Sequence, residues 1–180
     1  MNWSATLIPV GTLILGAALS ETSSWLSDRR KDSQVVRVAA AQRDREIETR
    51  RESFELDLLT RLTGALLEFG RAYGEAHFLD ARTARTSGTY AGSPLPAEVN
   101  EHVYTAGREM LALMNMILDE DLRAVVRASY DAMIAVASLR RATLAQGEAA
   151  FDRATALHAE ALEAVAARIR AIYIEQSPAG

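Results

Sequence analysis

The sequence predicts an all-α protein: an N-terminal transmembrane helix continuing into a long charged helix, then an antiparallel bundle of about four helices. Three observations predict it. An uncharged run from Met1 to Ser20 is bracketed by the two tryptophans, no proline occurs between Pro9 and Pro94, and the later apolar residues recur at the helical period. No stretch alternates apolar and polar residues as a half-buried strand would, and no internal repeat is visible.

The segment 1–27 reads as a membrane anchor. Trp3 and Trp25 lie 22 residues apart, which at the helical rise is roughly 33 Å, about the thickness of a bilayer's hydrocarbon core. Amphipathic indoles collect at headgroup level, so Trp3 and Trp25 mark the two interfaces. Leu7, Ile8, Val10, Leu13, Ile14, Leu15 and Leu19 supply the apolar body. The charge of Glu21 falls one turn from Trp25, where a carboxylate is tolerated better than at mid-bilayer. Thr12, Gly16 and Ser20 stand four apart, but small residues are common in such helices and fix no dimer.

Arg29, Arg30 and Lys31 follow the apolar segment directly, and nothing basic except the α-amino group precedes it. The positive-inside rule therefore puts the N-terminus outside and the body in the cytoplasm, as a single-pass cell-membrane protein. Lipid is the expected partner of residues 3–25, with Trp3, Trp25, Arg29, Arg30 and Lys31 at the interfaces. A cleaved secretory signal fits less well, because it would need a basic n-region ahead of its apolar core.

Residues 28–53 carry a net charge of +2, facing the anionic headgroups the anchor would adjoin. Within QRDREIETRRES, residues 42–53, Ile47 is the single large apolar side chain. A helix with so little to bury is a solvated stalk supported by pairs such as Glu46 with Arg50. Val36, Ala40 and Arg43 make a stripe too thin for the sustained heptads of a coiled coil, so a plain spacer is the preferred reading.

The folded bundle is expected over 54–176. Phe54, Leu58, Leu62, Ala65, Phe69, Tyr73 and Ala76 recur every three or four residues, and Leu59, Leu66 and Leu67 widen that face. Gly64, Gly70 and Gly74 weaken a helix unless they permit close packing. Residues 86–96, TSGTYAGSPLP, form the one clear loop. A second helix begins near Pro96, has Glu98 in its first turn, and runs through Val99, Val103, Ala106, Met110, Leu113 and Ile117 to about Asp119. Asp119 then caps a third, carrying Leu122, Val126, Ser129, Met133 and Ala137. Gly147 is expected to interrupt before a fourth with Phe151, Ala154, Ala161, Val165, Ile169 and Ile172. Residues 177–180 form a disordered tail.

The composition excludes several chemistries. Cysteine is absent, which removes disulfides, thiolate metal sites and cysteine nucleophiles together. The net charge of −4 lacks the field that gathers on phosphate backbones, so no nucleic-acid partner is expected. The 19 arginines against one lysine, with abundant alanine, fit a GC-rich coding bias. There is no Glu-x-x-His of a carboxylate-bridged metal bundle, no Walker loop, no Gly-x-Ser-x-Gly and no His-Glu-x-x-His. Glu98 and His102 share a face at i, i+4 and read as an ordinary surface pair. Glu160 and Glu163 do not stand three or four residues from His158, and Glu75 is too close to His77, so neither histidine shares a face well with these carboxylates. The expectation is no catalytic residue, no cofactor and no metal.

Met110, Met114 and Met116 are read as core filling, with an adaptable groove for a partner helix as the alternative. Tyr104, Tyr130 and Tyr173 are read as packing residues with one wet end. What remains is a membrane-tethered helical interaction or scaffolding module that binds a protein partner or itself. A sensor whose bundle couples to its anchor is the alternative, and a metal-dependent enzyme comes last. The N-terminal anchor, Asp28-Arg29-Arg30-Lys31 and Arg50-Arg51-Glu52-Ser53-Phe54 leading into an alanine- and leucine-rich bundle resemble a widespread class of uncharacterised single-pass membrane proteins from GC-rich bacteria. The resemblance implies the same architecture and assigns no catalytic residue.

Overall fold

Four helices account for the regular structure: α1 (Ser4–Ser87), α2 (Ala97–Met114), α3 (Glu120–Ala137) and α4 (Leu144–Gln176). The computed structural model describes the backbone of residues 4–140 and 142–176, and side chains of residues 37–140 and 142–174. Among the described residues there is no strand, and a lone antiparallel bridge joins Tyr90 to Ala142. Trp3, the side chains of Trp25, Arg29, Arg30 and Lys31, and the tail 177–180 lie outside the described residues. Among the described residues no helix is long and apolar enough to cross a membrane.

The chain divides into two compact units, residues 1–50 and 51–180. In the first, the side chains of residues 37–50 are exposed apart from half-buried Ala39. Val38 and Ile47 face solvent with the rest. Local pairing supports this part of α1: Arg50 reaches Glu46 at 4.0 Å and the Thr49 hydroxyl donates to the Arg45 carbonyl at 2.9 Å.

In the second unit, α1 and α4 run in opposite directions, as a ladder of contacts shows. Arg168 grips Glu55 with two bonds of 2.6 and 3.0 Å, His158 lies over Gly70, and Phe151 reaches Gly74 and stacks on His77. Helix α2 returns along α1, with His102 on Glu68 and Gly107 against Tyr73 and Phe69. A Cβ at Gly107 would still make only ordinary contact with the two rings, at 3.7 and 3.9 Å. The core joins Leu58, Leu62, Leu66, Phe69, Met110, Met114, Val126, Met133, Ala161, Val165 and Ile172 from all four helices. Burial of these side chains contributes about 25 cal/mol for each Å² of apolar surface removed from water.

Residue positions depart from the sequence reading at several points. Phe54 is 44% exposed and Leu67 is 59% exposed. Phe54 lies a turn before the first buried apolar residue, Leu58, and Leu67 falls about 100° round the helix from buried Leu66. On α3, Val136 is buried and Ala137 is exposed. Met110 and Met114 are core, whereas Met116 is exposed, and so are Tyr104 and Tyr173. Tyr130 does pack, stacked on Phe69 at 5.4 Å.

Helix ends follow local chemistry. Gly88 takes φ 77° just past α1, the left-handed position where glycine costs least, and its N–H donates to the Ala84 carbonyl at 2.8 Å. Helix α2 ends at Met114, short of Asp119, because Asp119 is extended and its carboxylate accepts from the Leu122 N–H at 3.0 Å, capping α3. Helix α4 begins at Leu144, and Gly147 does not interrupt it. Thr143 and Gln146 form a reciprocal capping box: Thr143 N–H donates to Gln146 Oε1 at 2.9 Å and Gln146 N–H to Thr143 Oγ1 at 3.3 Å. Gly147 is needed for space, since a Cβ there would meet the Tyr90 ring at 2.5 Å.

Candidate functional site

The last turns of α1 set Tyr73, His77 and Asp80 at i, i+4 and i+7, one helix face. The chain then turns at Gly88, and Tyr90 folds inward, 1% exposed. Its hydroxyl meets His77 Nδ1 at 2.8 Å and its N–H donates to the Ala142 carbonyl at 2.9 Å. Ala91 follows at φ 50°, a left-handed conformation uncommon for a residue with a Cβ. Pro94 and Leu95 carry the loop across to α2.

Beneath this loop is an open cavity of about 540 Å³, within the range of small-molecule pockets. Helix α1 contributes Tyr73, Ala76, His77 and Asp80, and α2 contributes Ala97, Asn100 and Val103. The end of α3 contributes Val136 and Ala137, and Arg140 follows it. The Arg140 Nη1 donates to the Ala137 and Leu139 carbonyls at 3.0 and 2.9 Å, closing the C-terminus of α3. Asp80 and Arg140 are the charged residues of the described wall.

Burial governs the titration of this wall. It pushes the Tyr73 and Tyr90 hydroxyls up to about 12, with Tyr130 and Asp80 respectively adding to the shift. His77 is pushed below its ordinary value by burial, opposed by the charges of Glu148 and Asp152. Asp80 is raised by burial, with the Arg140 charge acting the other way. Near neutral pH Tyr90 keeps its proton and His77 is neutral, so the bond between the hydroxyl and Nδ1 joins two uncharged groups. His77 also stacks face to face on Phe151, with centroids 4.0 Å apart. This arrangement orients the ring.

The other histidines have structural partners. His102 does not pair with Glu98: its Nε2 lies 2.6 Å from Glu68 and its Nδ1 3.5 Å from Glu75, both on α1. Glu68 is lowered by its bonds to Arg71 and His102. His158 is 8% exposed, meets the Ser129 hydroxyl at 3.0 Å through Nδ1, and bonds the Leu66 backbone. Ser129 is fully buried, so this pair has no access for a substrate. Among the described residues no group of three or more His, Cys, Asp or Glu side chains could hold a metal ion.

The sequence reading missed Asp80, Tyr90 and Arg140, which approach one another from three elements. The visible signals were slight: an aspartate three residues after a histidine near a helix end, and an aromatic residue inside a glycine- and proline-rich loop. The structure joins His77 to this group and leaves His102 and His158 elsewhere. Comparison with protein-family models, curated proteins and solved structures finds no match to this chain.

Proposed function

We propose that this protein is a non-catalytic binding module held at a membrane by its first 27 residues, whose helical body takes a small molecule in the cavity under the 88–96 loop. The cavity carries this reading: it is open, about 540 Å³, mostly apolar, and holds a few convergent polar groups, as small-molecule sites do. Binding there would bear on the loop, α1, α2 and the end of α3 together, so a ligand preferring one packing of these elements would shift their populations. That is the sensor form of the module. Trp3, Trp25 and the basic Arg29, Arg30 and Lys31 support the tether, with the body on the cytoplasmic side.

Equilibrium dialysis of the purified body, residues 51–180, against a small-molecule extract, read by mass spectrometry, tests the binding. A compound should be enriched by the natural chain and lost on Ala137→Trp, which fills the cavity from its exposed rim. No enrichment, or enrichment unaffected by the indole, would reject the reading. Membrane fractionation with protease protection checks the tether: digestion of the body from outside intact cells would invert the topology.

A protein-contact role is the second reading, favoured by Leu111, Met116 and Leu118, exposed around the α2–α3 turn. Exposed apolar side chains gathered in sequence favour a protein contact. Crosslinking from membranes that recovers the monomer alone would count against it.

A further inference from the structure

We propose that the cavity under the 88–96 loop is a site for a small zwitterion: an ammonium and a carboxylate a few bonds apart on an apolar body, with a free α-amino acid as its simplest form. The inference rests on the binding reading above and specifies the ligand's chemistry.

The charged groups of the described wall are one carboxylate and one guanidinium, Asp80 on α1 and Arg140 beyond α3. They are not joined to each other: among the described residues no ion pair within 4.0 Å links them, and no hydrogen bond falls on Asp80. Arg140 nevertheless lies near enough for its field to act on Asp80. Two opposite charges that share a cavity without touching leave a space of opposite polarity at each end. A molecule carrying both charges fills that space and neutralises both walls.

Each charge has capacity to spare. A half-buried carboxylate without a donor destabilises the fold, and an ammonium placed beside it supplies the missing partner. Arg140 commits Nη1 to the carbonyls that end α3. Among the described residues no hydrogen bond falls on its Nε and Nη2, and that edge can take a carboxylate with two parallel bonds, the geometry a guanidinium favours. His77 and Tyr90 satisfy one another and add no charge. A purely anionic ligand would leave half-buried Asp80 uncompensated, and a purely cationic one would leave the free edge of exposed Arg140 unused.

The remaining wall selects the body of the molecule. Val103, Val136, Leu95 and Ala76 offer aliphatic surface, and Tyr73 offers a ring, so a branched or aromatic side chain is favoured over a polar one. The volume is ample for such a residue, and the opening allows exchange with solution.

Calorimetric titration of the full-length protein, held in detergent micelles, with matched probes tests this. The first series is L-leucine, isoamylamine, 4-methylpentanoate and 4-methyl-1-pentanol. The second is L-phenylalanine, phenethylamine, 3-phenylpropionate and 3-phenyl-1-propanol. In at least one series the amino acid should bind ten-fold or more tighter than the amine, the acid or the alcohol. Asp80→Asn should weaken the amino acid and the amine but not the acid. Arg140→Lys, which keeps the charge and loses the fork, should weaken the amino acid and the acid but not the amine, with helicity checked by circular dichroism. An amine, acid or alcohol that matches its amino acid, or binding by neither amino acid, overturns the zwitterion assignment. The binding reading is decided separately by dialysis, since a different compound displaced by Ala137→Trp would sustain it while this inference fell.

Discussion

The middle of the four-helix body and its loop-covered end are built on different terms. In the middle, Leu62, Leu66, Phe69, Met110, Met133 and Val165 are sealed from water, and the polar Ser129 and His158 satisfy one another. At the end, α1, α2 and α3 enclose empty space, and Asp80 sits half-buried beside it. Periodic apolar stripes are enough to make the first region. The second depends on single side chains and a short loop, and keeps a group that works against stability. Such a contrast is common where a scaffold supports a binding site.

The largest effect expected on this contrast is from Phe69→Ala, which should destabilise the body by about 3–5 kcal/mol in urea unfolding. Leu95→Ala, on the cavity wall, should cost under about 1 kcal/mol, since a neighbouring void already exists and the side chain is half-buried. Equal losses would show that the two regions are not different in packing. Next is Arg168→Met, which leaves buried Glu55 without its two-bond partner and should cost about 1–3 kcal/mol. Adding Glu55→Gln should recover part of that loss.

Two glycines of α1 sharpen the description of the middle. A Cβ at Gly70 would lie 2.7 Å from His158 Nε2, whereas one at Gly64 would meet nothing within 4 Å. Gly70→Ala should therefore destabilise by about 1–3 kcal/mol despite its better helix propensity, and Gly64→Ala should stabilise by up to about 1 kcal/mol. The same sign for both would refute the close approach of α4.

The smallest effects are in the pH response. Burial lowers His158 from 6.5, so as pH falls below that value the unfolded chain takes up the proton first. Stability then drops, levelling off once pH is below the depressed value. His158→Gln should flatten this limb of a thermal-melt profile. Asp80 behaves in the opposite sense: its raised value means that its contribution is favourable below 3.8 and is lost as pH rises through the folded-state value. Asp80→Asn should accordingly raise Tm slightly at pH 7, and the gain should shrink as the solution is acidified. A lower Tm at pH 7 would mean that Asp80 has a stabilising role.

Much of the middle was legible in the sequence because helical burial repeats every three to four residues. That spacing picked out Leu58, Leu62, Phe69, Met110, Val126 and Val165, and included Ser129 in the core face of α3. Gly70 was legible as a site of close packing, but its neighbour was not. His158 is held from α3 and from the Leu66 backbone, so a search for carboxylates along its own helix had nothing to find. The same limit explains His102, whose partners come from α1. At the α4 start, the Thr143 and Gln146 box was written in adjacent residues. Gly147 obscured it, because the reason for that glycine is Tyr90, far away in the chain. The cavity was least legible of all, since it requires α1, the loop, α2 and α3 to converge.

The bridge between Tyr90 and Ala142 has a consequence for how the body opens. It ties the chain just before α2 to the chain just before α4, so α2, α3 and their turn form an excursion of about fifty residues pinned at its neck. Two helices fastened in this way are expected to detach as one cooperative unit rather than fray separately. The Tyr90 amide, which makes the pinning bond, then becomes a clock for that detachment: its hydrogen exchange should keep pace with the slow amides inside α2 and α3, although it belongs to a loop.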